Sequence, residues 1–149
     1  MYSLEELKKF LVLAKKNTYS SIKTNDDISG GNFVYSQGDF FYEDNFFGNS
    51  LFIGEEVIYF KNVPVWGMNY YGQLLDKEIS IKDTYSFLRK ALSMINIEKP
   101  FRGEQYFLND NYKYINECSG NVDNFSGEEC IYLGSEKIYR LSYHGGIIK

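Results

Sequence analysis

The sequence predicts an α+β fold built by internal duplication, with two helix-plus-antiparallel-meander units around a pseudo-twofold and helices packed on antiparallel sheet. Three observations lead there. The chain holds 14 Tyr, 12 Phe and 1 Trp beside 13 Gly and only 2 Pro; aromatic residues favour pleated surfaces and Gly favours turns, so most of the chain is expected as strand. The string Phe52-Ile53-Gly54-Glu55-Glu56-Val57-Ile58-Tyr59-Phe60 returns 73 residues later as Phe125-Ser126-Gly127-Glu128-Glu129-Cys130-Ile131-Tyr132-Leu133, with six identities in nine positions. Two further segments carry apolar residues at helical spacing. The 149 residues are therefore expected as a single domain of two repeats, about 1–75 and 76–149.

In the first helix Ser3 can cap, with Glu6 three residues on, and Leu4, Leu7, Phe10, Leu11 and Ala14 form the apolar stripe. Phe10-Leu11 and Ala14 recur as Phe87-Leu88 and Ala91, and Leu88, Ala91, Leu92 and Ile95 form the stripe of a second helix that starts after Ser80 or Asp83 and ends before Pro100. Both stripes read as core packing. Four strands are expected after each helix: about 33–36, 39–44, 55–60 and 65–71, then about 104–108, 111–116, 128–133 and 137–143. Residues 25–31, 45–49 and 120–124 read as loops from their polar, Gly-rich composition.

A net charge of −4 has the wrong sign for a chain whose task is neutralising phosphates, so autonomous nucleic-acid binding is disfavoured. No apolar run reaches the ~20 residues that cross a bilayer, and the start lacks the pattern of a signal peptide, so no membrane association and a cytoplasmic location are expected. Cys118 and Cys130 are too few for a disulfide framework and, with the lone His144, too few for a Cys/His zinc site. No phosphate-binding glycine loop occurs, and no cofactor, metal site or catalytic residue is assigned.

If residues 61–64 form the turn between the strands at 55–60 and 65–71, Tyr59 faces Trp66, Val57 faces Met68 and Glu55 faces Tyr70. The repeat then sets Glu128 opposite Tyr143, Cys130 opposite Leu141 and Tyr132 opposite Tyr139. Since side chains alternate across a strand, each Glu-Glu pair sends one carboxylate to either side of the sheet. A carboxylate beside aromatic rings and a Tyr hydroxyl suits a small cationic or aromatic ligand. The candidate ligand-binding residues are Glu55, Glu128, Trp66, Tyr70, Tyr143 and His144. The competing readings are that Glu55 and Glu128 sit at strand ends in water and that Trp66 is plain core. Gly54 and Gly127, each preceding a Glu pair, suggest a bulge or a special backbone angle. Arg102 reads as an exposed guanidinium of structural rather than ligand-binding use.

The strings Gly38-Asp39-Phe40-Phe41-Tyr42-Glu43-Asp44, Phe52-Ile53-Gly54-Glu55-Glu56 and Pro64-Val65-Trp66-Gly67-Met68-Asn69-Tyr70-Tyr71-Gly72 resemble an uncharacterised bacterial domain family, and Pro100-Phe101-Arg102-Gly103 and Tyr143-His144-Gly145-Gly146 extend the match over nearly the whole chain. The resemblance implies a domain found alone or behind an XRE-type helix-turn-helix in transcriptional regulators; here the first helix follows directly on Met1. The duplicated helix-and-hairpin plan is also similar to the effector-binding domains of multidrug-responsive regulators, an analogy of architecture alone. The readings are ordered as a non-catalytic small-molecule-binding or sensing domain, a protein-interaction module acting as homodimer or on a protein partner, and an enzyme using a carboxylate with His144.

Overall fold

The structure, a computed structural model, describes residues 1–21, 30–76 and 78–149. Helix α1 (Leu4–Asn17) opens with a capping box: the Ser3 hydroxyl accepts from the Glu6 amide, and the Glu6 carboxylate accepts from the Ser3 amide. Its buried side chains are Leu7, Phe10, Leu11, Ala14 and Lys15, the last a charge on the apolar stripe. A 3-10 turn (Tyr19–Ser21) follows. Helix α2 (Ile81–Ser93) is capped by Ser80 and buries Thr84, Phe87, Leu88, Ala91 and Leu92. Most of the expected loop at 25–31 lies outside the described residues, and Gly30 and Gly31 belong to a strand.

The strands are β1 (Gly30–Gln37), β2 (Phe40–Gly48), β3 (Leu51–Phe60), β4 (Val63–Leu74), β5 (Tyr106–Asn109), β6 (Tyr112–Asn121), β7 (Asn124–Leu133) and β8 (Glu136–Ile147). They form one eight-stranded sheet in the order β1-β2-β3-β4-β8-β7-β6-β5, with every neighbouring pair antiparallel. This corrects the fold class expected from the sequence. More than half of the described residues are strand, and the molecule is a sheet-dominated fold rather than an α+β assembly of two helix-plus-meander units. The finding that overturns the expectation is the pairing of β4 with β8, from Trp66 opposite Ile147 to Leu74 opposite Tyr139. The last strand of each meander would otherwise leave a twelve-residue edge of unpaired amides and carbonyls, and joining the two edges satisfies both at once.

The register also differs from the expected one. Lys61 and Asn62 alone make the β3–β4 turn, both left-handed at φ 50° and 66°, and Phe60 pairs with Val63. A two-residue turn of this hand matches strand twist. Val65 is then an extra residue, since Tyr59 pairs with Pro64 and Ile58 with Trp66. From the bulge onward Glu56 faces Met68, Gly54 faces Tyr70 and Glu55 faces Asn69, not Tyr70. The same device recurs in β8, where Ile138 is the extra residue and Glu128 faces Ser142, Cys130 faces Arg140 and Tyr132 faces Lys137. The loops expected at 45–49 and 120–124 are largely strand, because β2 runs to Gly48 and β6 and β7 leave only Val122 and Asp123 between them.

Both helices lie on one face of the sheet. Phe10 of α1 stacks on Phe40 of β2 at 4.9 Å between ring centroids, and Phe87 of α2 stacks on Phe107 and Tyr112 of β5 and β6. Trp66, Ile58, Tyr42, Tyr114, Ile131 and Tyr139 complete the buried face. Gly54 and Gly127 make neither a bulge nor a positive φ; they leave room for rings. A Cβ on Gly54 would stand 2.2 Å from the Tyr70 ring, and one on Gly127 would stand 2.3 Å from the Tyr143 ring.

Candidate ligand site

Alternation along β2 carries Phe40, Tyr42, Asp44 and Phe46 to the face beneath the helices, and the β2–β3 register sets Asp44 directly opposite Glu56. Two carboxylates so placed repel unless compensated. The compensation comes from α1 and β4. Lys15 Nζ lies 2.6 Å from Glu56 Oε2 and also donates to the Phe101 carbonyl, while the Tyr70 hydroxyl donates to Asp44 Oδ1 at 2.6 Å. All three charged side chains are less than a tenth exposed. Glu56 Oε2 is buried and accepts no well-oriented hydrogen bond, and the Lys15 ammonium supplies the opposite charge beside it. Burial and then the Glu56 charge push the Asp44 carboxyl up to about 7, against the opposing Tyr70 bond. Burial likewise holds the Lys15 ammonium below its ordinary range, with Glu56 pulling the other way.

The other half of the sheet carries a matching set in a closed form. Glu129 of β7 receives the Arg102 guanidinium through Nε at 3.0 Å and Nη2 at 2.5 Å, and accepts from the hydroxyls of Tyr114 at 2.6 Å and Tyr139 at 2.8 Å. A bidentate, doubly buttressed carboxylate of this kind is fully satisfied. Burial opposes the Arg102 charge, but Glu129 outweighs it and keeps the guanidinium firmly protonated. Asn116 stands opposite Glu129 as Asp44 stands opposite Glu56. Its amide donates to the Gly103 carbonyl at 2.9 Å and its oxygen accepts from Tyr143 at 2.8 Å. The Arg102 guanidinium carbon lies 5.9 Å from the centroid of the Tyr70 ring, which joins the two clusters.

Beside Asp44 and Glu56 the chain leaves a cavity of about 90 Å³, roofed by the end of α1, the 3-10 turn and α2. Its walls are mostly aromatic and aliphatic, from Phe46, Phe52, Tyr70, Tyr85, Leu88 and Leu92, with Arg89 half-buried in the lining. The volume suits roughly six waters or a small organic group. A buried apolar chamber with a few convergent polar groups is the usual form of a small-molecule site.

The candidate residues read from the sequence separate. Tyr70 lines the cavity. Tyr143 is buried in the second cluster, bonded to Asn116. Trp66 is core, its Nε1 donating to the Val122 carbonyl at 3.1 Å and its ring stacked on Phe125. Glu55, Glu128 and His144 point to the opposite, exposed face, where Glu55 accepts from Asn69 at 2.9 Å. His144 there joins Glu117, Ser119, Ser126 and Ser142 beside a shallow concavity. Arg102 is buried rather than exposed. The inward carboxylates are Glu56 and Glu129, and the one-residue bulges are the reason.

Asp44 and Lys15 are the buried charged side chains of the cavity wall that the sequence reading missed. Both carried a signal: Asp44 breaks the stripe Phe40, Tyr42, Phe46 at the period of a strand, and Lys15 lies four residues after Leu11 on the buried helical face. A charge on an apolar stripe costs stability unless it is paired.

A single antiparallel sheet with helices on one face and a partly apolar, carboxylate-lined chamber between them defines the class of the protein. The chain belongs to the family described as Domain of unknown function (DUF5680), which matches residues 44–148 and so includes Asp44, Glu56, Tyr70 and Arg102. Comparison with curated proteins and with solved structures gave no match. Among the described residues no helix is long and apolar enough to cross a membrane.

Proposed function

We propose that the protein is a non-catalytic small-molecule-binding or sensing domain of the cytoplasm, related to the ligand-side domains of bacterial regulators, whose ligand occupies the cavity beside Asp44 and Glu56. The observation that carries this reading is the chamber itself: a largely apolar space with two adjoining carboxylates, Asp44 and Glu56, in its wall. A small ligand with a cationic head and an aromatic or aliphatic body fits that lining. Cys118 and Cys130 are both unpaired, in keeping with a reducing compartment.

The test is a thermal-shift screen of cationic, aromatic and metabolite-like molecules. A ligand at 100 times its Kd adds about 2.7 kcal/mol, which raises Tm by roughly 5 to 10 °C at this size. The expected hit disappears in Leu92→Phe, which fills the chamber, while circular dichroism shows the variant folded. Hits indifferent to that substitution would remove the cavity from the reading.

A second reading, a protein-interaction module, is favoured by the face of the sheet that no helix covers among the described residues. There Phe47, Ile53 and Tyr71 stand in one row across β2, β3 and β4 with Leu51 beside them, and Phe47 is 70% exposed. Light scattering tests its homodimer form. A dimer that the double substitution Phe47→Ser, Ile53→Ser converts to monomer would establish it, and a monomer at high concentration would exclude self-association.

A further inference from the structure

The sheet has two edges, and the chain treats them differently. At one edge β5 spans only Tyr106–Asn109, and past its end Lys99 Nζ reaches the Cys118 carbonyl of β6 at 3.5 Å. A short edge strand and a lysine laid on open carbonyls are devices that keep sheet edges from pairing. At the other edge β1 runs for eight residues without a charge, a proline or a bulge. None of its residues is buried, and among the described residues no strand or loop pairs with its outer side. The two-residue turn at Gly38 and Asp39 sets Gln37 opposite Phe40, which directs the N–H and C=O groups of Gln37, Tyr35 and Phe33 to β2. Those of Ser36, Val34 and Asn32 face outward.

Helix α1 brings an exposed apolar side chain to the middle of this edge. Phe10 packs on Tyr35 and Tyr19 packs on Phe33, so Leu13, between them in the chain, stands level with Val34. Lys15 leaves α1 toward Glu56 of β3. Leu13 is two residues away, about 200° around the helix, and so lies on the flank toward β1. Leu13 is 39% exposed and Val34 54%.

We propose that the β1 edge is a dimer interface whose occupant is a second copy of this chain, β1 pairing antiparallel with the partner's β1 about a twofold axis through Val34. This register sets Val34 against the partner's Val34, Asn32 against the partner's Ser36 and Phe33 against the partner's Tyr35, so each outward amide meets a carbonyl and each ring a ring. With strands about 4.8 Å apart, α1 over β1 and β2 stands about 5 Å from the axis. The two helices then run antiparallel about 10 Å apart, the spacing of packed helices, with Leu13 on the partner's Leu13. Charge is complementary as well: the acidic first turn of each helix, Glu5 and Glu6, lies toward the basic last turn of the other. Because the β5 edge is guarded, the assembly closes at two chains instead of growing into a fibre. No residue of β1 lines the cavity, so the pairing is independent of the ligand reading.

The experiment is light scattering over a dilution series, joined to amide exchange resolved by residue. The chain is expected to form a particle of twice its own mass. Val34→Lys sets two charges on the axis and Leu13→Asp two on the helix contact, and each is expected to weaken the dimer tenfold or more with unchanged circular dichroism. Tyr106→Lys, on the guarded edge, is expected to leave it intact. In the dimer the amides of Asn32, Val34 and Ser36 are expected to exchange at least tenfold more slowly than in Val34→Lys, while those of Phe33 and Tyr35, already bonded to β2, differ little. A monomer at every concentration, a dimer that either Val34→Lys or Leu13→Asp leaves intact, or growth beyond two chains overturns the inference. A dimer that Phe47→Ser, Ile53→Ser dissolves and Val34→Lys does not also overturns it, and moves self-association to the face of the sheet.

Discussion

Asp44 couples the fold to pH through a sign that is opposite to that of most carboxylates. Its carboxyl is pushed from an ordinary value of 3.8 up to about 7 by burial and by Glu56. Between about pH 4 and 7 the unfolded chain releases this proton and the folded chain keeps it, so stability falls as pH rises through that window and is unaffected by the group below it. Asp44→Asn removes the dependence. We therefore expect urea unfolding to show the variant gaining on the parent chain by a few kcal/mol between about pH 4.5 and pH 7.5; an unchanged difference at the two pH values would contradict it. Glycine supplies a second residue-scale test. Gly54→Ala and Gly127→Ala each drive a methyl into a tyrosine ring, and each is expected to cost about 1 to 3 kcal/mol in denaturant unfolding, as overpacked cores do. Breaking the closed ion pair is harsher. Arg102→Met leaves Glu129 buried among hydroxyls without its cation, with an expected loss of about 3 to 5 kcal/mol in the same assay.

The hairpin is the element in which legibility ran out. The helix stripes were largely plain in the sequence: Leu7, Phe10, Leu11 and Ala14 of α1 and Leu88, Ala91 and Leu92 of α2 are all buried, while Leu4, in the first turn of the expected stripe, is exposed. The strands were plain as well, though all but β5 were drawn short: alternating aromatics mark the middle of a strand, while the asparagines and glycines at its ends read as loop. The single bulged residue was not legible. Nothing local distinguishes a four-residue turn at 61–64 from a two-residue turn followed by an extra Val65, yet the choice transfers Glu55 and Glu56 to opposite faces. Glu55 and Glu128 lie on the face away from the cavity for that reason, while Tyr70 and Tyr143 are buried because β4 and β8 present the same face beyond the bulge. The turn can be tested directly. Asn62 holds φ 66°, so Asn62→Val is expected to lower stability by about 1 to 2 kcal/mol, whereas Asn62→Gly is expected to leave Tm within a degree or two.

At the scale of the molecule the β4–β8 pairing makes one sheet of what the repeated string had suggested would be two units. A continuous sheet with a shared buried face predicts a single unfolding transition. The sole tryptophan, Trp66, stacks across that join on Phe125, so its fluorescence reports the join while far-UV circular dichroism reports the strands. The two curves are expected to coincide in urea, and a tryptophan signal lost at lower denaturant than the sheet signal would show that the halves part before they melt.

The path by which the chain reaches this sheet follows from its connections. β1 to β4 are joined by tight turns, as are β5 to β8, so each of those pairings needs only neighbours in the sequence. The join of β4 to β8 alone requires segments as distant as Trp66 and Ile147 to meet, and the loop entropy of that meeting must be spent before its hydrogen bonds return anything. Folding is thus a search of two quickly formed ribbons for one another. Its rate should answer to residues along the join and stay nearly blind to residues in the outer hairpins.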